Sequence, residues 1–167
     1  MNTTPSVIIA QATHSHEAGI AAFLLRNDCD AVRRNFHPFP LNSTTAHEIV
    51  NAPRNEFFLV ACSNETVVGI AMLRGRSQGY TIPSFGILVD HSARGRGVGR
   101  LLLRAALRSA ATWDCAFVRL TVFEDNIVAL HFYSTYGFAE HSRSTEATDW
   151  GPRVKIVMLR PTSLPIP

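Results

Sequence analysis

Residues 94–99 read Arg-Gly-Arg-Gly-Val-Gly and stand between a β-rich run and a leucine-rich helical stretch. That placement constrains the fold more than any other feature of the chain. Glycine lets the backbone take positive φ and lets a ligand approach with no Cβ in the way. Successive backbone N–H groups in such a loop converge on one anion. A helix starting near Gly99 adds its unpaired N–H groups and the positive end of its dipole. Phosphate or pyrophosphate is the natural ligand at such a point, and Arg94, Arg96 and Arg100 can add charge-assisted hydrogen bonds. A Walker loop is excluded, since the lysine and the following Ser or Thr are missing. A dinucleotide loop fits poorly. The third glycine comes one residue early, and Leu120 or Thr121 stands where an acidic residue is wanted about 20 positions on.

The rest of the chain supplies the setting. Strands are expected at 7–10, 57–62, 66–74, 81–90, 116–123, 138–141 and 154–160, with Asn64 and Glu65 as a hairpin turn. The 116–123 run is nearly all apolar and predicts a strand buried on both faces. Helices are expected at 15–25, capped by Ser15 with Ile20, Phe23 and Leu24 on one face, and again after Thr44 or Thr45. A third runs over 101–113, with Leu102, Leu103, Ala106, Leu107 and Ala110 inward. A fourth covers 126–136 and ends at Gly137. Pro38 and Pro40 make 35–41 a loop. An antiparallel meander followed by strand, loop, helix and strand implies a right-handed crossover between two parallel strands. The expected class is α/β (α+β): a mixed, mostly antiparallel sheet flanked by helices.

At 167 residues, 46% hydrophobic and 17% charged, the chain suits one globular domain over 1–160, with 161–167 as a flexible tail. No apolar run reaches the roughly 18–20 residues of a membrane span. The start, 1–11, lacks the features of a secretory signal, so the cytoplasm is expected, with no membrane partner. A net charge of +3 is too small to imply nucleic acid. Cys29, Cys62 and Cys115 are widely spaced and form no metal-ligand cluster, so no metal is expected.

Two motifs carry a family resemblance. The first is the 94–99 loop, which fits the pattern of Arg or Gln, two residues, Gly, one residue, then Gly or Ala. The second is Asn126, Ala129, Phe132, Tyr133, Tyr136, Gly137 and Phe138 at the spacing of a downstream motif. In both, the chain resembles the GNAT (GCN5-related N-acetyltransferase) superfamily, over roughly 57–160. The resemblance implies the acyl-CoA N-acyltransferase fold, with a parallel strand pair that splays apart. It implies acetyl-CoA as cofactor, its pantetheine arm lying in the gap and pairing near Ile87, Leu88 and Val89. The pyrophosphate would sit on Arg94, Gly95, Arg96, Gly97, Val98, Gly99 and Arg100. Asn126 would bond the arm or cap its helix, with Ala129 beside it. Tyr133 would serve as general acid to the leaving thiolate, while Tyr136 is structural.

Many members carry a glutamate on the strand before the loop; residues 80–89 hold no carboxylate. His37, Glu124, His131 and His141 are candidate bases, or ordered water serves, or the amine arrives already neutral. Phe36, His37, Tyr80 and Ser84 are the expected acceptor residues. The Phe-His-Pro-Phe-Pro and Pro-Ser-Phe-Gly stretches resemble those of acetyltransferases in amino-sugar pathways, which implies a small-molecule primary amine such as an amino sugar. A non-catalytic acyl-CoA-binding regulatory module and a protein N-terminal or lysine acetyltransferase stay open as alternatives, as does a homodimer.

Overall fold

The computed structural model describes residues 6–36 and 38–167. In chain order they form β1 (Val7–Gln11), α1 (Glu17–Arg26), α2 (Asp30–Arg33), α3 (Ser43–Val50), β2 (Phe57–Ser63), β3 (Thr66–Arg74) and β4 (Ser84–Val89). There follow α4 (Val98–Ala111), β5 (Phe117–Phe123), α5 (Ile127–Thr135), β6 (Ala139–Thr148) and β7 (Gly151–Pro161). One seven-stranded sheet runs in the order β1-β2-β3-β4-β5-β7-β6. Every neighbouring pair is antiparallel except β4 and β5. The fold class expected from the sequence is the one observed. Among the described residues no helix is long and apolar enough to cross a membrane.

Two cores lie on opposite faces of the sheet. On one, α4 and α5 bury Leu102, Leu103, Ala106, Leu107, Ala110, Tyr133 and Tyr136 against Leu59, Ala71, Phe85, Leu120 and Ile156. All five inward positions expected for α4 are buried. On the other face, Ile20, Phe23 and Leu24 of α1, with Ile49 of α3, cover Val60, Ile70, Met72 and Leu88. Asn64 and Glu65 both take positive φ, 46° and 65°, as a tight hairpin between β2 and β3 requires.

Several local expectations are corrected. A short turn at His14–His16 precedes α1, so Ser15 does not cap it. Asn42, not Thr44 or Thr45, caps α3, its side-chain oxygen accepting from the Thr45 N–H at 2.9 Å; Thr45 is buried instead. Strand β4 begins at Ser84 rather than at 81. Its partner β3 ends at Arg74, where Gly75 at φ 106° turns the chain away. Strand β5 is not buried on both faces: Val118, Leu120 and Val122 face the core, while Thr121 is exposed and Arg119 half-buried. Strands β6 and β7 run longer than expected, because the polar 142–146 stretch lies at a sheet edge and shows no apolar alternation. Hydrogen bonds also reach the last residues. The buried Arg160 guanidinium donates to the Leu164 and Pro165 carbonyls, each at 2.9 Å.

Candidate active site

The glycine loop grows out of the end of β4. Asp90 is buried there and accepts from the Ser92 N–H at 3.0 Å and the Ser92 hydroxyl at 2.8 Å. Arg26 of α1 also donates to Asp90, and to the Val67 carbonyl. Burial alone would raise the Asp90 carboxyl, but the Arg26 and Ser92 hydrogen bonds outweigh it and hold the pKa at about 2. The carboxylate therefore fixes the loop's first turn to α1.

Beyond that turn the backbone is left-handed at Gly95 (φ 72°) and Gly97 (φ 81°). A Cβ built at either meets nothing within 4 Å, so the space over the loop is open. Gly97 is the N-cap of α4, with no side-chain cap and no acidic residue in the first turn. The opening N–H groups of α4 thus lack a side-chain acceptor and point at that space. Arg94, Arg96 and Arg100 are exposed around it, and Arg94 donates to the Val89 carbonyl at 3.3 Å. Gly99 differs from its neighbours. It lies inside the helix, and its Cβ would make ordinary contact with Ile87, Val89 and Phe132 at 3.8–3.9 Å.

Strands β4 and β5 pair only at Ser84 and Arg119, where the Arg119 N–H reaches the Pro83 carbonyl at 2.9 Å. Past that rung they part. Because Asp90 N–H bonds back to Val68 of β3, alternation turns the backbone groups of Leu88 and Gly86 to β3 as well. Those of Phe85, Ile87 and Val89 face the gap. Leu88 was grouped with Ile87 and Val89 in the sequence; its backbone and its buried side chain both face elsewhere. The gap opens into a cleft of about 1070 Å³ lined by Phe85, Ile87, Arg119, Thr121 and Tyr133, among others.

Tyr133 stands on α5, whose start is fixed by Asn126: its side-chain oxygen accepts the Ala129 N–H at 3.3 Å. The ring is 9% exposed and packs edge-on against Phe85 at 6.3 Å and Phe138 at 5.9 Å. Its hydroxyl makes no hydrogen bond among the described residues, and burial pushes the phenol's pKa well up. Tyr133 is thus a protonated, unengaged donor on the cleft wall. Tyr136 is buried in the core, and its carbonyl accepts from Arg160 at 2.6 Å.

Of the expected acceptor residues, Phe36, Tyr80 and Ser84 line the same cleft, and His37 lies outside the described residues. None of Glu124, His131 and His141 lines it. All three are exposed, and Glu124 pairs with Arg143 at 2.9 Å. Arg74, which the sequence places with Leu73 and Gly75 as a candidate wall of the acceptor site, lines the cleft too, whereas sequence reasoning missed Arg119 and the β6–β7 hairpin, which brings Glu146, Asp149, Trp150 and Lys155 over it. A charged residue at mid-strand, as in Val118-Arg119-Leu120, was the signal available. Arg153 of β7 was missed too. Its guanidinium is packed over Phe123 at 3.7 Å and bonds Asn35 at 2.9 Å, Asp125 and the Arg34 carbonyl. It ties residues 34–35 to the turn that enters α5. Among the described residues no group of His, Cys, Asp or Glu could hold a metal ion.

Fold and cleft define a class: a mixed sheet that parts at one parallel pair, beside a helix whose N-terminus is capped only by glycine. Within that class the chain belongs to the acetyltransferase (GNAT) family, whose model matches residues 21–138. It is 36% identical over 83 residues to the L-amino acid N-acetyltransferase AaaT of Escherichia coli, covering 48% of this chain and 51% of that protein. It is 42% identical over 57 residues to the mycothiol acetyltransferase of Tsukamurella paurometabola, covering 34% of this chain and 20% of that one. The chain thus spans about half of the first relative's length and a fifth of the second's. Among solved structures, a GNAT-family acetyltransferase from Streptococcus pneumoniae superposes with a TM-score of 0.77 at 22% identity, covering 93% of this chain and 99% of that one. The ribosomal-protein-S18-alanine N-acetyltransferase of Escherichia coli superposes at 0.73 with 20% identity, over 96% of each chain. Both share the fold.

Proposed function

We propose that this protein transfers the acetyl group of acetyl-CoA to a primary amine of a small molecule. The observation that carries the reading is the conjunction at β4. An uncapped helix start opens at one end of the strand, a free backbone edge runs along it, and an unengaged phenol stands beside it. The open space over Gly95 and Gly97 suits a pyrophosphate, held by the first N–H groups of α4 with Arg94, Arg96 and Arg100. Ile87 and Val89 offer backbone groups to the amide-bearing arm, as a sheet edge does to an added strand.

The amine nitrogen attacks the thioester carbonyl, the C–S bond breaks, and the proton lost by nitrogen ends on sulfur. Tyr133 supports that step by donating its hydroxyl to the departing sulfur. A free phenol is already less acidic than a thiol, about 10 against about 8.5, and burial widens the gap. Tyr133 therefore acts as an acid by hydrogen bonding the developing thiolate rather than by ionising. An acceptor that arrives neutral needs no strong base. Glu146 and Asp149 are the carboxylates at the cleft, and Glu146 is engaged by Lys155 at 2.8 Å.

Two measurements test the reading. Acetyl-CoA in large excess over Kd should raise the melting temperature while ATP and NAD do not. An amine panel should then release free thiol from acetyl-CoA. Stabilisation by ATP alone would overturn the donor assignment; stabilisation by acetyl-CoA with no thiol release would favour the regulatory module.

A further inference from the structure

Strand register places Arg74 beside Ser84 and Ser84 beside Arg119. Laterally paired residues project from the same face of a sheet, so the three form a row across β3, β4 and β5. All three line the cleft. At about 4.8 Å per strand, the two arginine backbones lie about 10 Å apart with a hydroxyl between them. Like charges set side by side and partly withdrawn from water repel unless an anion joins them.

Among the described residues neither guanidinium has a carboxylate partner. Arg74 donates to the Pro38 carbonyl at 3.1 Å and lies over the Phe39 ring. The half-buried Arg119 side chain makes no hydrogen bond or ion pair there. Two of the neighbouring carboxylates are already engaged. Glu146 accepts Lys155, and Glu56 accepts the Gly75 N–H at 2.9 Å and the Ser77 hydroxyl. Asp149 stands in the exposed hairpin turn.

The row is also separate from the glycine loop. Ser84 opens β4 and Val89 closes it, about 17 Å away at the usual rise of a strand. Between them on the row's own face stands Gly86, and the Met72 side chain packs over it, 3.2 Å from where a Cβ would stand.

From this we infer that the acceptor amine carries an anionic oxygen group, a carboxylate or a phosphate, held by Arg74, Ser84 and Arg119. Paired guanidinium forks suit such oxygens, and a hydroxyl between them supplies another donor. The inference rests on the proposed acetyl transfer, because it treats the cleft as the acceptor's.

The test compares matched acceptors in the thiol-release assay: L-amino acids against their amides, and glucosamine 6-phosphate against glucosamine. Calorimetric binding of the same compounds to the coenzyme A complex is measured alongside. One anionic member should be preferred over its neutral counterpart by about 10²-fold or more in kcat/KM, and the responding pair tells carboxylate from phosphate. Arg119→Gln and Arg74→Gln should each bring that ratio toward one, chiefly through KM, with acetyl-CoA affinity unchanged. Arg119→Lys should restore part of it. A merely structural role would lower turnover of both members alike. Equal use of neutral and anionic amines overturns the anion site but leaves acetyl transfer standing. If no amine releases thiol, calorimetry decides: failure of every anionic compound to bind more tightly than its neutral partner overturns the inference by itself.

Discussion

The site turns on a few residues whose chemistry differs from that of their neighbours. Tyr133 and Tyr136 are buried rings that both pack on Phe132, yet of the two Tyr133 alone borders the cleft. Tyr133→Phe should lower kcat by about 10²-fold and leave acetyl-CoA affinity near wild type, since the ring packing survives; single-turnover kinetics with a competent amine would measure it. Gly97 is a second such residue. Its left-handed backbone disfavours any side chain by roughly 1–2 kcal/mol, and Gly97→Glu adds a negative charge at the mouth of the anion site. That variant should lose acetyl-CoA binding while melting only a few degrees lower. Gly97→Asn, which tolerates positive φ, should fold normally and bind weakly, and calorimetry on the pair separates strain from charge.

Secondary-structure elements hold these residues through tight, specific junctions. At Gly69 of β3 the helix α4 presses close on the sheet: a Cβ there would stand 2.9 Å from Leu102 and 3.2 Å from Val98. Gly69→Ala should cost about 1–3 kcal/mol and, by lifting the start of α4, weaken acetyl-CoA binding as well; denaturant melts with and without acetyl-CoA would register both effects. The α1–loop junction is electrostatic. The folded-state pKa of Asp90 is depressed to about 2, so its stabilisation is present above the unfolded value near 3.9 and fades as pH falls toward 2. Asp90→Asn should therefore cost on the order of 2 kcal/mol at neutral pH, and the gap to wild type should close between about pH 4 and pH 2 in chemical-denaturation curves. What sequence disclosed at this scale was whatever chemistry is local. Alternate glycines before a leucine stripe specify loop and helix together, and Asn126 three residues before Ala129 specifies a cap. Strand β5 was misread because the burial of Arg119 and Thr121 depends on where β4 goes, and no residue in 117–123 records that. The β6 extension was missed for a related reason. An edge strand can be polar on both faces, so 142–146 carries no period to read.

Across the whole molecule, the donor side and the acceptor side differ in how they could be foreseen. The glycine loop and Tyr133 belong to one continuous stretch, 84–138, and its motifs name them. What the proposed reading makes the acceptor side is gathered from residues 34–36 and 38–42, the end of β3, the middle of β5 and the β6–β7 hairpin, segments whose meeting only the folded chain decides. Arg153 is the tie among them, reaching from β7 to Asn35 and Asp125. Arg153→Met keeps much of the side-chain volume while removing the hydrogen bonds. It should raise the acceptor KM, leave acetyl-CoA affinity unchanged and speed hydrogen exchange at 34–36 and 124–126.

The single rung between β4 and β5 also bears on how long the protein survives in use. Four strands stand on one side of it and three on the other, so the sheet is two plates hinged at Ser84 and Arg119 and otherwise held by the helices. On the proposed reading, a bound donor supplies the missing rungs and becomes a keystone of its own carrier. Resistance to a protease would then rise and fall with the supply of acetyl-CoA. The molecule would be most easily cleared when its acetyl donor runs short, a coupling of lifetime to metabolic state that needs no regulatory domain.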